Sequence, residues 1–274
     1  MIRSTEKPMP HADTINIYVN RFTQQELADE FALDCDKASV FNRLFGQISA
    51  QPYSILLDTS SSSKSQGRFN IMAFSPTAVI EAKGKVTELV NLHTASRQPL
   101  NMRPFEAVQA HLHAKFQSVE VRADFDTSHL PFIVGVAGMA GYDTGRFYEV
   151  LPSMAKNDYS SPDFSVGLYL SSLIEDTQTG YIYYCCADNR PLSKVFNMSE
   201  QALTSDNFKL TSPFKSNLTK SAYEVCLDKI HAYLRAGDCY QVNMAQRFSA
   251  DFEGNIRQAY CELRNQNQAP FSAY

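Results

Sequence analysis

The sequence predicts an α+β fold, on three observations. Residues 77–92 alternate around Gly84, and residues 163–176 and 181–186 flank Thr177-Gln178-Thr179-Gly180, which are two β-hairpin signatures. Several other stretches repeat apolar residues at helical spacing. Strands and helices also come in runs, without the regular alternation that builds a parallel doubly wound sheet.

In chain order, Thr14 to Asn20 reads as a short strand. Leu27, Phe31 and Leu33 mark a first helix, and Phe41, Leu44 and Phe45 a second. Tyr53-Ser54-Ile55-Leu56-Leu57 has the length and apolarity of a buried strand. The serine-rich stretch from Asp58 to Gly67 has no periodicity and is expected to loop to the next strand, Arg68 to Phe74. Pro104 suits the first turn of a helix, where its missing N–H has no partner to lose; Phe105, Val108, Leu112 and Phe116 follow near helical spacing. Phe132 to Ala140 is a further apolar run. Residues 205–220 are polar and contain proline, so they are expected to link a domain over 1–204 to a second segment over 221–274. In that segment Ser221-x-x-Glu224 offers a capping box, Tyr223, Leu227, Ile230 and Leu234 share one helical face, and Gly237 is placed to stop the helix. Cys239 to Ala250 is expected as a strand, Ile256 to Asn265 as a helix, and Ala269 to Tyr274 as the opening of another strand.

The 274 residues are 44% hydrophobic and 20% charged, enough to bury a core without disulfides or a structural metal. A net charge of −4 without basic clusters gives nucleic acid no electrostatic footprint. No apolar run approaches the roughly 18–20 residues that span a bilayer, and the amino end lacks the apolar core of a signal peptide, so a cytoplasmic protein is expected. None of the six cysteines forms a C-x-x-C pair, and reduced, mostly buried thiols are expected.

Isolated motifs point to little chemistry. His111-x-His113 would splay two rings apart on a helix and has no acidic partner one turn away, which argues against a metal site. Gly135-x-x-Gly138-x-x-Gly141 lacks dinucleotide-loop spacing and fits close strand packing and a tight turn. Asp143 and Arg146 suit a helix-start cap and a salt bridge. The serine run 60–63 fits a solvated loop. Arg68, between that loop and an apolar strand, suits equally a bidentate hold on a carboxylate and a rim position packed on Phe69. Gln241, Asn243 and Gln246 put amides into a segment otherwise fit for burial, so a side-chain network or a polar cavity is expected there.

That amide-bearing segment, Gly237-Asp238-Cys239-Tyr240-Gln241-Val242-Asn243-Met244-Ala245-Gln246-Arg247-Phe248, with Ala269-Pro270-Phe271-Ser272-Ala273-Tyr274, resembles the start of the chorismate-utilising domain of the aminodeoxychorismate synthase component I family. Earlier blocks agree in order: Leu56-Leu57-Asp58, Arg68-Phe69-Asn70-Ile71, Gly138 through Arg146, Pro162-Asp163 and Val166-Gly167. Anthranilate synthase component I is the nearest rival; its usual Val-Leu-Ser is replaced here by Asn243-Met244-Ala245. The resemblance implies a layered α+β fold, cut within the chorismate-binding domain. It implies amination of chorismate to 4-amino-4-deoxychorismate, for p-aminobenzoate and folate synthesis, with ammonia from a glutamine amidotransferase subunit and Mg²⁺ on the substrate. The family's catalytic lysine, metal-binding glutamates and chorismate-binding arginine lie beyond the block ending at Tyr274, so neither catalytic nor metal residues are assigned, and the chain alone is expected to be inactive. A fragment of anthranilate synthase component I, or a tryptophan-binding or interaction module without catalysis, is the alternative. The resemblance also implies a tryptophan-type amino-acid pocket at Leu57, Thr59, Arg68, Phe69, Pro270, Phe271 and Ser272.

Overall fold

The computed structural model describes residues 14–33, 39–59, 67–92, 94–154, 159–196 and 207–274. Cys35 and the serine run 60–63 lie outside them. The chain forms two compact units, one of residues 1–203 with 264–274, the other of residues 204–263. This departs from the expected division: residues 264–274 belong with the first unit, and described residues of the expected linker carry two short strands of the second.

The first unit holds two sheets. Strands β1 (Ile15–Thr23), β2 (Ile55–Asp58), β3 (Phe69–Ala73), β7 (Val119–Arg122), β10 (Ser171–Asp176), β11 (Tyr181–Cys186) and β16 (Ser272–Ala273) make a seven-stranded sheet in the order β16-β2-β3-β10-β11-β1-β7. Its pairs are antiparallel except β1 with β7. Strands β4 (Ala78–Lys83), β5 (Val86–Asn91), β6 (Ser96–Leu100), β8 (Gly135–Ala140) and β9 (Phe164–Tyr169) make an antiparallel sheet ordered β6-β5-β4-β9-β8. Only Leu170 separates β9 from β10, so the chain passes directly from one sheet to the other. The two predicted hairpins are β4–β5 and β10–β11.

Side-chain alternation sorts the two faces of the larger sheet. On one face Asn70 of β3 donates to Glu175 of β10 (2.7 Å), and Glu175 also receives Gln24 (2.8 Å) and Ser39 (3.3 Å) from the starts of two helices, α1 (Gln24–Glu30) and α2 (Val40–Ile48). The apolar sides of those helices, with Leu27, Phe41, Leu44, Phe45 and Ile48, are fully buried. On the opposite face Ile17, Val19, Ile174, Tyr183 and Cys185 pack with Leu130, while Phe125, Ile133 and Val134 lie against them. The smaller sheet is covered by α3 (Pro104–Lys115), whose Ala107 and Val108 join Ile80, Ala82 and Phe164.

Thr23 caps α1 through a reciprocal pair: its Oγ1 accepts from the Glu26 amide (3.2 Å), and Glu26 accepts from the Thr23 amide (2.7 Å). Thr23→Ala removes one of these contacts and is expected to cost about 1 kcal/mol. Thermal unfolding checks this as a fall in midpoint of roughly 2–4 °C; an unchanged midpoint would mean the cap contributes nothing.

In the second unit, α4 (Lys220–Ala236) begins two residues earlier than the predicted box: Thr219 is the cap, accepting from the Ala222 amide (3.2 Å), and Ser221 lies inside the helix. Gly237 closes it at φ +80°, a left-handed conformation that an L side chain strains. Two short ladders pair β12 (Lys209–Leu210) with β15 (Phe252–Glu253), and β13 (Lys215–Ser216) with β14 (Phe248–Ser249). The strand expected over 239–250 is corrected to the two residues of β14, because a strand exists only as part of a ladder. Residues 241–247 have none among the described residues. Their amides are used locally instead: Gln246 donates to the Ser216 hydroxyl (2.6 Å) and Gln241 to Asn243 (3.4 Å). Helix α5 (Ile256–Asn267) runs from this unit into the closing segment of the first.

Candidate functional site

Within the first unit, β2 and β3 alternate so that Leu56 and Met72 are buried while Leu57, 42% exposed, turns to the other face. The chain's last residues return to this edge. Ser272 and Ala273 pair with Asp58 and Leu57, and Tyr274 and Leu56 exchange both backbone hydrogen bonds (2.9 and 3.0 Å). The Tyr274 ring stands edge-on to Phe45 of α2, with centroids 5.2 Å apart.

This return creates a cavity of about 550 Å³. Of the seven residues expected to form an amino-acid pocket, Leu57, Arg68, Phe69, Pro270, Phe271 and Ser272 line it. Ile71 and Pro131 add to the apolar wall. A second cavity of about 390 Å³ shares Leu57, Ile71 and Pro131 and continues past Ile55 and Ala73 to Phe132 and Val136. These volumes fall in the range of small-molecule sites.

Thr59 is the exception among the seven. It does not line the cavity; its amide donates to Asn70 Oδ1 (2.9 Å) and its carbonyl accepts from Arg264 Nη2 (3.0 Å). Its place is behind the wall.

Arg68 joins its two sequence-level alternatives. Its fork does hold a carboxylate bidentately, but an internal one: Nε donates to Asp176 Oδ1 (3.0 Å) and Nη2 to Oδ2 (2.7 Å). Its guanidinium also lies over the Phe69 ring, 4.7 Å from the centroid. Asp176 is wholly buried at the end of β10 and further accepts from the Gln178 amide (3.0 Å) and the Thr179 hydroxyl (2.9 Å). Burial works to raise its pKa, but the hydrogen bonds from Arg68, Thr179 and Gln178 prevail and hold it at about 2. Arg68 in turn is raised above the usual guanidinium value, chiefly by its bond to Asp176.

Sequence reasoning missed the ion pair of Asp58 with Arg264, 206 positions apart. The one available signal was phase: Asp58 continues the buried register of Leu56, and a buried carboxylate requires a partner. In the block from Gly138 to Arg146, the last residue braces the backbone. Arg146 binds Asp143 (2.7 Å) and the carbonyls of Leu151 and Pro152 (3.0 Å each), tying down the turn that follows β8.

Residues 21–274 match the family model described as chorismate binding enzyme. The aminodeoxychorismate synthase component 1 of Klebsiella aerogenes is 35% identical over 231 residues, covering 84% of this chain and 49% of that protein. The protein of the same name from Escherichia coli (strain K12) is 34% identical, with the same two coverages. Anthranilate synthase component 1 of Lactococcus lactis subsp. lactis is 25% identical over 85% of this chain and 50% of its own length. The chain thus spans about half the length of the curated relatives it matches. Among solved structures, anthranilate synthase component I from Streptococcus pneumoniae TIGR4 superposes with a TM-score of 0.58 at 22% identity, over 73% of this chain and 46% of that one, and so shares the α+β fold. A family match extending over all but the first twenty residues places this chain in the family of chorismate-binding enzymes.

Proposed function

We propose that the chain is the amino-terminal part of an aminodeoxychorismate synthase component I, and that its own site holds an aromatic amino acid of the tryptophan kind. The convergence of Leu57, Arg68, Phe69, Pro270, Phe271 and Ser272, from three separated segments, on one cavity supports the pocket. Leu57, Ile71, Pro131 and Phe271 offer apolar surface to an indole. Arg68 keeps its Nη1 without a partner among the described residues, and its side chain is 36% exposed, so a ligand carboxylate can be met there while the Asp176 bonds persist.

Identities of 33–35% to three aminodeoxychorismate synthase components, with a fourth at 26%, against 22–27% to four anthranilate synthase components, favour the first name. For the whole protein we take the reaction to be amination of chorismate, with ammonia from a glutamine amidotransferase subunit. Among the described residues no group of three or more His, Cys, Asp or Glu side chains is placed to hold a metal ion, so no step is assigned here to Mg²⁺. The 274-residue chain with chorismate, ammonia and Mg²⁺ is expected to form no product. Magnesium-dependent product would overturn that expectation.

The pocket is tested by optical titration. The chain contains no tryptophan, so the emission of added tryptophan is the sole indole signal. A saturable blue shift is expected as the ring leaves water, and Phe271→Ala is expected to weaken it about tenfold, as truncating an aromatic anchor does. An unshifted emission at millimolar protein excess would remove the pocket from the reading.

A further inference from the structure

Among the described residues, the strand pairing that holds the wall carrying Pro270, Phe271 and Ser272 to the sheet is short. The β16–β2 ladder is two residues long, extended by the Leu56–Tyr274 pair. So short a pairing does not by itself overcome the entropy of ordering the chain. Arg264 supplies a different kind of anchor. It stands in the last turn of α5, where a cation is favoured by the helix dipole, and its carbonyl accepts the Gln268 amide (3.1 Å) that starts the returning segment. Its Nε donates to Asp58 Oδ2 and its Nη2 to the Thr59 carbonyl (3.0 Å). The Asp58 side chain is only 2% exposed and Arg264 only 20%. A carboxylate that has lost its water pulls strongly on the cation that replaces it.

We propose that Arg264 is the positioning residue of this pocket: by gripping Asp58 and the Thr59 carbonyl it docks residues 268–274 on the sheet edge and so erects the wall that carries Phe271. The planar guanidinium reaches both acceptors at once, which a lysine ammonium cannot reproduce in the same geometry. Thr59, which lies outside the cavity, then has its place explained as one of the two points gripped. Because the wall exists only while the segment is docked, docking and ligand binding must favour each other by the same factor. This ligand coupling rests on the proposed pocket; the docking role does not.

The test compares wild type, Arg264→Gln, Arg264→Lys and Asp58→Asn by amide hydrogen exchange without ligand. In Arg264→Gln the amides of Leu56 and Tyr274 are expected to exchange at least about tenfold faster, while Leu173 and Ile174 in the sheet centre keep their protection. Arg264→Lys should fall between, and Asp58→Asn should add little when combined with Arg264→Gln. Unchanged Leu56 and Tyr274, or equal acceleration of the central strands, would overturn the proposal, the latter by making Arg264 a contact of general stability. Tryptophan titration of the same proteins separates the two readings. Binding that weakens in Arg264→Gln as its docked fraction falls supports the coupling, whereas no binding by wild type discards the ligand and leaves exchange to judge the docking role.

Discussion

Gly138→Ala is expected to destabilise the protein by about 3 kcal/mol, a large fraction of the stability of an ordinary domain. A Cβ built on Gly138 lies 2.1 Å from the Ser165 carbonyl oxygen and 2.6 Å from Val166 Cα, both backbone atoms of the neighbouring strand β9. Side-chain motion cannot relieve such a clash. Nor can β9 retreat, since it is bonded to β4 on its other side and continues through Leu170 into β10 of the second sheet. Gly84→Ala is the control: at φ +64° its Cβ meets nothing within 4 Å, so only left-handed strain of about 1 kcal/mol is expected. Urea midpoints of the two variants should differ widely. Similar midpoints would mean that β8 is free to shift against β9.

The same contrast between local and remote causes decides what was legible in the sequence. The hairpin β10–β11 was readable because its turn, Thr177 to Gly180, is written in consecutive residues; α2 was readable because its apolar residues repeat on one face. Strand β7 was missed: all four of its residues are exposed, so burial wrote no pattern into Val119-Glu120-Val121-Arg122. The strand assigned to 239–250 failed for the converse reason, since composition permits a strand and only a ladder partner makes one. At the site, grouping Leu57, Arg68 and Phe271 came from resemblance, as no spacing relates three segments so far apart. The partners of Arg68 and Asp58, 108 and 206 positions distant, leave no local trace. A charge in the phase of a buried strand signals that a partner exists, not which residue it is.

Asp176→Asn is expected to cost about 2–3 kcal/mol at neutral pH, since hydrogen bonds to a buried charge are among the strongest single contacts. The amide keeps one acceptor but turns an NH₂ group toward Arg68 Nη2 and the Thr179 hydroxyl, both of which donate to Oδ2 in the native protein. The turn after β10 loses its organising anion, and Arg68 loses the contact that fixes its fork beside the pocket. Acid should erase the difference. The folded carboxyl has a pKa of about 2, below the ordinary value near 3.9, so the native chain gives up this proton more readily than the unfolded one. Its contribution is therefore fully present above about pH 4 and is lost as the pH falls through about 2, a window worth about 2 kcal/mol. The asparagine variant has no such proton to bind. Urea unfolding of both proteins at pH 7, 4 and 3 should show a constant gap between the first two and a narrowing gap at the third. A gap that stays constant to pH 3 would show that Asp176 acts through its shape and hydrogen bonds alone, with its charge contributing nothing to the hold on Arg68.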